Sequence, residues 1–463
     1  MATISSLGVG SGLDLTGLLD QLESAERLKL TPITNQQSVI ESKISAFGRL
    51  QSSLTSLQTA VKKLATTSTY QGQTSRISGS GVGVAVTSSA VPGSYQVQVT
   101  QLAQAHSLAT AGVADKTAAL GAGTLTISSG EETLTINVAA GSNSLEAIRD
   151  AINAKKGSVT ASIVNDGSGT PWRLALTAKS TGTESAMTVS FADGGSGGDQ
   201  LNTLLNPYDA DTNASGYKET AAAKNAQLTV NGLAITSQGN TVEGALHGVT
   251  LTVSATGDAQ TLTVERDTAS IKSAISSFVS AFNSLDGTTD NLTSYDADSG
   301  KAGTLLGDST LRGVQSRLRQ TVTGGLDEGT YRYLSDLGVS LQLDGTLRVD
   351  DSKLTKALEG DLADVQALFA GTADKPGLAA RLNTSLTDIL DSKGVISSAI
   401  EGLESRSEAL DERYARMESS IAATIERYRV QFSSLDTLIA QMNSTSTYLT
   451  QQFDAMKAML GDS

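Results

Sequence analysis

The sequence predicts an α+β multidomain protein: a helical, coiled-coil leg built from both chain ends, with inserted antiparallel β-rich head domains. Three observations predict it. Apolar residues recur at steps of three and four from Ile40 to Leu64 and again from Ile396 to Leu460, which puts them on one face of a helix. Between Tyr70 and Arg266 the texture changes to short alternation, rich in Thr and Val and punctuated by Gly, as in half-buried strands. Helical patterns resume after Arg266, so the β region is an insertion between helices.

The elements follow in order. The chain opens MATISSLGVGSGLDL, with Gly8, Gly10 and Gly12 ahead of Leu13, Leu15, Leu18 and Leu19. Residues 13–31 read as a helix capped by Asp14 or Ser11, which Pro32 interrupts before a second helical pattern begins at Ile33. That pattern carries Ile40, Ile44, Phe47, Leu50, Leu54, Leu57, Val61 and Leu64. Strand patterns then appear in SRISGSGVGVAV, GSYQVQVTQLAQAHSLA, GTLTISS and ETLTINV. SLEAIRDAINAKKG reads as one amphipathic helix capped by Ser144, followed by strands in VTASIVN, WRLALTA and AMTVSF. A Gly- and Asp/Asn-rich separator runs from Asp193 to Gly216. Beyond it, AQLTVNGLAITS predicts a hairpin turning at Asn231-Gly232, and GVTLTVSA and QTLTVE are further strands. Helices resume in ASIKSAISSFVSAFNSL, LLGDSTLRGVQSRLRQTV and DLADVQALFAG, with a hairpin about Asp344-Gly345.

The most regular pattern is the last. Ile396, Ile400, Leu403, Leu410, Tyr414, Met417, Ile421, Ile425, Tyr428, Phe432, Leu435, Ile439, Met442, Leu449, Phe453, Met456 and Leu460 form a heptad seam, with Ser407 and Ser446 in polar slots. Consecutive fours at Met417, Ile421 and Ile425 read as one stutter, where a supercoil unwinds locally. Glu401 to Arg429 is densely charged, whereas Val430 to Ser463 carries only Asp436, Asp454, Lys457 and Asp462. A solvated helix carries charge on its outer face, so this neutral tail, like the charge-poor first 25 residues, predicts a second layer of helix packing. Periodicity alone leaves open whether the seam closes within one chain or between chains.

Composition narrows the function classes. With 463 residues, 39% hydrophobic and 4% aromatic, the chain builds its cores on Ala, Val, Leu and Ile. A net charge of −14 with no dense Lys/Arg run argues against nucleic acid as a partner. The absence of cysteine removes disulfides, thiolate catalysis and thiolate metal sites. No apolar run is long enough to span a bilayer, and no secretory leader pattern precedes Arg27.

The chemical motifs fail on inspection. Gly12 is followed by Leu13 and Asp14 where a phosphate loop needs Lys and Ser/Thr, and SGSGVGV at Ser78–Val84 fails in the same way and reads as a turn. DADSGKAGTLLGD from Asp296 holds Lys301 and Gly307 where a calcium loop needs Gly and Glu. His106 and His247 lie in no metal-ligand spacing, and Trp172 reads as a core or edge anchor. The chain is therefore expected not to be an enzyme and to hold no cofactor and no metal.

The opening ISSLGVGSGLDLTGLLDQLESAERLKLTPI resembles the N-terminus of the flagellar filament cap family, the hook-associated protein 2 family. The resemblance continues, in family order, in AQLTVNGLAITSQGNTVEGALHGVTLTV, FVSAFNSL, LLGDSTLRGVQSRLR, LSDLGVSLQLDGTLRVDDSKL and RYRVQFSSLDTLIAQMNSTSTYLTQQF. SLEAIRDAINAKKGSVTASIVNDGSGTPWRLALTAKSTG resembles the small inserted motif shared by flagellins and hook-associated proteins. Nothing in Asp193 to Lys224 resembles the family.

The resemblance implies a secreted structural protein at the tip of the bacterial flagellum. It would form a ring-shaped homo-oligomer, a pentamer in the family pattern, that retains exported flagellin and promotes its folding and polymerisation. Implied partners are flagellin, the hook-associated junction proteins, the type III export apparatus and a cytoplasmic export chaperone, with no nucleic acid and no membrane span. A surface adhesin at the filament tip and a hook–filament junction protein are the alternatives.

Four parts are expected. Residues 1–35 with 435–463 form terminal coiled-coil, export and filament-docking segments, and 36–75 with 267–434 form a helical leg. Residues 76–115 with 219–266 form a first β head, and 116–218 an outer α+β head. Oligomer and filament contacts are expected at Ile4, Leu7, Leu15, Leu18, Leu22, Phe432, Leu435, Ile439, Met442, Leu449, Phe453 and Met456. Because both ends are neutral and lack an isolated core, 1–35 and 435–463 are expected to order on assembly. On this reading the three leader glycines supply flexibility.

Overall fold

The computed structural model describes residues 7–9, 11–194, 199–207, 216–372 and 374–460. The chain forms two compact units, one of residues 1–67 with 271–463 and one of residues 68–270.

Helix α1 (Leu15–Arg27) starts where Asp14 Oδ1 accepts the Gly17 N–H at 2.8 Å, satisfying one of the unpaired amides of a first turn. A 3₁₀ turn at Leu28–Leu30 leads into α2 (Thr31–Ala65). Pro32, expected to interrupt the helical run, instead sits in the first turn of α2, where its missing N–H costs no hydrogen bond; the break is the 3₁₀ turn before it. Ala46, Phe47, Leu50, Leu54, Leu57, Val61 and Leu64 form the buried stripe of α2, close to the face expected from their spacing.

The second unit contains β1 (Gln73–Ile77), β2 (Val82–Val86), β3 (Gly93–Gln101), β4 (Ala105–Ala109), β5 (Gly123–Ser129), β6 (Glu132–Val138), α3 (Leu145–Ala154), β7 (Val159–Asn165), β8 (Trp172–Thr181) and β9 (Met187–Asp193). Next come α4 (Asp199–Leu205), β10 (Lys218–Ala221), β11 (Ala226–Val230), β12 (Leu233–Ser237), β13 (Thr241–Leu246), β14 (Val249–Val253) and β15 (Gln260–Arg266). All strand pairs within its sheets are antiparallel.

Two cores divide this unit. Sheet β1-β15-β3-β11-β12 faces sheet β13-β14-β2 across Val97, Val99, Leu228, Leu251 and Leu262. Sheets β10-β4-β8-β7 and β6-β5-β9, with α3 and α4, enclose Leu125, Ile127, Leu145, Ile148, Ile152, Leu174 and Leu176. Ser144 caps α3, accepting the Ala147 N–H at 3.2 Å. Asn231 and Gly232 turn β11 into β12 at φ of +50° and +81°, the left-handed pair that matches strand twist.

Two features depart from the sequence reading. The stretch read as a separator contains α4, which buries Leu201, Leu204 and Leu205. Strand β4 lies inside the 76–115 stretch assigned to the first head, and its hydrogen bonds go to β8 and β10 of the outer sheet.

The chain returns to the first unit through α5 (Thr268–Thr293), a short ladder of β16 (Tyr295–Asp296) and β17 (Lys301–Ala302), and α6 (Ser309–Thr323). The hairpin of β18 (Val339–Leu341) and β19 (Leu347–Val349) turns with Gly345 at φ +90°, as its Asp-Gly pair predicts. Helices α7 (Asp351–Glu359), α8 (Leu362–Phe369) and α9 (Leu378–Leu390) follow, each with its own apolar stripe; that of α9 packs along α2 and α6. Helix α10 (Val395–Leu460) runs unbroken for 66 residues. At 1.5 Å per residue it is about 100 Å long.

Candidate functional site: a terminal helix pair and an uncovered tail

Among the described residues no group of three or more His, Cys, Asp or Glu could hold a metal ion, and no helix is long and apolar enough to cross a membrane. His106, buried between sheets, accepts the Met187 N–H on Nδ1 at 2.8 Å and pairs Nε2 with Glu219 at 3.1 Å, a strand-joining role. Trp172 packs half-buried on the outer core with Lys116 Nζ 5.1 Å from its ring centroid. Burial raises the Asp286 carboxyl, with Asp290 and Asp344 acting in the same direction, but the adjoining cavity of about 30 Å³ has room for little more than a water.

The chain ends hold the site. Helix α1 and the 3₁₀ turn after it pack on α10 through Leu19 and Leu30 on one side and Ile421 and Ile425 on the other, all less than a tenth exposed. Tyr414, Met417, Tyr428 and Phe432 border this cluster half-buried, and the rings of Tyr428 and Phe432 stack at 6.4 Å. Ile421 and Ile425 are the stutter positions of the seam. At the far end of the contact the Ser11 N–H donates to Asp436 Oδ1 at 2.8 Å. At the other end Arg27 reaches Glu418 at 3.8 Å, an exposed pair that adds little.

Beyond Asp436 the other described residues cover little of the helix. Leu438, Met442, Leu449, Phe453 and Met456 are 54, 64, 48, 61 and 52% exposed, and Leu435, just before it, is 42% exposed. They line two adjoining shallow grooves on α10 alone, flanked by Gln441, Thr445, Ser446, Thr450 and Gln452.

The twelve expected contact residues therefore separate. Leu15 is buried, Leu7, Leu22, Phe432 and Ile439 are half-buried, and Leu18, Leu435, Met442, Leu449, Phe453 and Met456 are exposed. Ile4 lies outside the described residues. Phe432 thus borders the α1–α10 contact within one chain, Leu15 is buried on α1, and the last four stand on an open helix face. Leu438 and Tyr448, equally exposed, were missed because they lie off the heptad seam. The low charge of the whole tail is the signal that finds them.

Comparison with known proteins fixes the family. Residues 11–106 match the flagellar hook-associated protein 2 N-terminus, residues 223–444 its C-terminus, and residues 124–180, spanning β5 to β8, the flagellin hook IN motif. Over 468 aligned residues the chain is 41% identical to flagellar hook-associated protein 2 of Escherichia coli strain K12, covering 98% of this chain and 99% of that one. The chain belongs to the flagellar hook-associated protein 2 family. Another family member, from Salmonella typhimurium strain LT2, is 37% identical over 98% of this chain and 99% of its own. The crystal structure of the D1-D2-D3 domains of the E. coli flagellar cap protein FliD matches with a TM-score of 0.65 at 37% identity, covering 78% of this chain and 99% of that chain.

Proposed function

We propose that this flagellar filament cap protein, secreted to the filament tip, works as a ring of identical subunits whose terminal helices dock on the filament end. The observation that supports this reading is the tail of α10: a nearly uncharged helix with six apolar side chains from Leu435 to Met456 that are 42–64% exposed, with little cover from the other described residues. Such a face is stable in water only at a cost, and helix-on-helix packing removes it. Residues 1–35 with 435–463 then serve export and docking, and 36–75 with 267–434 the leg. The two head parts, with β4 and β10 counted in the outer one, serve as the plate of the ring.

On this reading the ring is a pentamer, as the family resemblance implies. It retains flagellin arriving from the type III export apparatus and promotes its folding and polymerisation. Junction proteins precede it on the hook, and a cytoplasmic chaperone shields the tail before export. The role is structural and needs no reaction. Deleting 435–463 tests it in a strain lacking its own cap. The reading expects a folded head, flagellin excreted as monomer and no filament growth. Normal filaments from the truncated chain would overturn it.

A further inference from the structure

The leader glycines do more than loosen the chain. Gly8 and Gly12 sit at φ of +94° and +74°, a region closed to most side chains. The Gly12 N–H donates to the Gly8 carbonyl at 2.9 Å, and a Cβ on the buried Gly8 would run into the Leu13 carbonyl oxygen. Inside this turn the Ser11 N–H points at α10 and donates to the carboxylate of Asp436, 425 residues away. Asp14 then caps α1. Where a flexible spacer is expected, Gly8, Ser11, Gly12 and Asp14 thus make defined contacts, and Leu15, Leu19, Leu30 and Ile33 give residues 15–35 buried contacts within the chain.

Register along α10 is the quantity at stake. The apolar contact of α1 with α10 is short, and apolar packing is non-directional, so a slip by one helical turn of about 5.4 Å would still bury side chains. A single polar group at a helix seam can select one register, at some cost in stability. Asp436 is the only charged residue between Val430 and Phe453, and it stands where the leader turn meets the helix.

We propose that Gly8, Ser11, Gly12 and Asp14 form a clasp and that Asp436 is a positioning residue. The carboxylate holds the turn at one height on α10, fixes the register of α1, and so sets where the uncovered face, Leu438 to Met456, begins. This rests on the docking role argued above, whereas the clasp can be read without it.

The experiment follows amide exchange by mass spectrometry in the full-length chain and capping in a strain lacking its own cap, for wild type, Asp436→Ala, Asp436→Asn and Gly8→Ala. A hydrogen bond to a charged acceptor slows local opening by about tenfold or more. Peptides covering residues 8–15 should exchange about tenfold faster in Asp436→Ala and Gly8→Ala, with the head unchanged and capping reduced. Asp436→Asn keeps an acceptor oxygen and should restore both. Unchanged exchange in Asp436→Ala would overturn the clasp. Faster exchange with undiminished capping would overturn the positioning role and leave the docking of the tail standing. Failure of the docking reading itself would show separately, as normal capping by the chain truncated at 435.

Discussion

Replacing Leu449 by Asp separates the two jobs of α10. Leu449 is 48% exposed and lines a groove formed among the described residues by α10 alone, so the free chain gains little from it. Across Leu435, Leu438, Met442, Leu449, Phe453 and Met456 the exposed fraction averages a little over half, which leaves about three whole side chains of apolar surface in water. At about 1.5–3 kcal/mol per side chain, covering them would contribute about 5–9 kcal/mol per subunit to docking. An aspartate at position 449 would remove its share and place an unpaired carboxylate in a dry helix contact, which costs several kcal/mol more. Thermal melting of purified Leu449→Asp, followed by circular dichroism, should match wild type. In a strain lacking its own cap the same variant should excrete unpolymerised flagellin. A clear drop in melting temperature would mean that Leu449 already packs within the free chain, and normal filaments would mean that this face is not a docking face. Either result refutes the reasoning.

Further outcomes follow from other parts of the chain. Leu50→Ala, on the fully buried stripe of α2, should destabilise the helical unit by about 2–5 kcal/mol in denaturant titration. Ile421→Ala should loosen α1 from α10, with faster amide exchange over residues 15–30 and unchanged exchange in the β sheets. Gly232→Ala forces a side chain into the left-handed half of the β11–β12 turn and should cost about 1 kcal/mol or more, read from chemical denaturation of the isolated transition of the β unit. The Asp166 carboxyl is held down to about 2 by the Ser168 N–H first, then by the Ser168 hydroxyl and by Arg173. Its contribution is therefore present above the unfolded carboxylate range near pH 4 and is lost as pH falls through about 2. A carbon-13 titration of the carboxyls should show Asp166 titrating last among the head carboxylates, and Arg173→Ala should move it upward.

Much of this architecture is legible in the residues. Ile40 to Leu64 fix the buried side of α2, Ser144 fixes the start of α3, and Asn231-Gly232 fixes a hairpin, because each is a local constraint of backbone or spacing. Helix α4 was hidden by its glycine- and aspartate-rich flanks, since seven residues give too short a window for periodicity. Pro32 misled because its cost depends on whether it falls in the first turn or the interior of a helix, which only the neighbouring turn decides.

The sequence by itself determined the family, the placement of a β-rich insertion between helices, and the existence of an apolar seam along the last helix. Those depend on motifs and periods that one segment carries alone. Only the tertiary structure decided which part of that seam is taken. Ile421 and Ile425 are covered by Leu19 and Leu30, whereas Met442 to Met456 stand open, although both stretches belong to one apolar seam. A period specifies a face and says nothing of its partner; the partner follows from where the leader turn stops on α10, at Ser11 and Asp436.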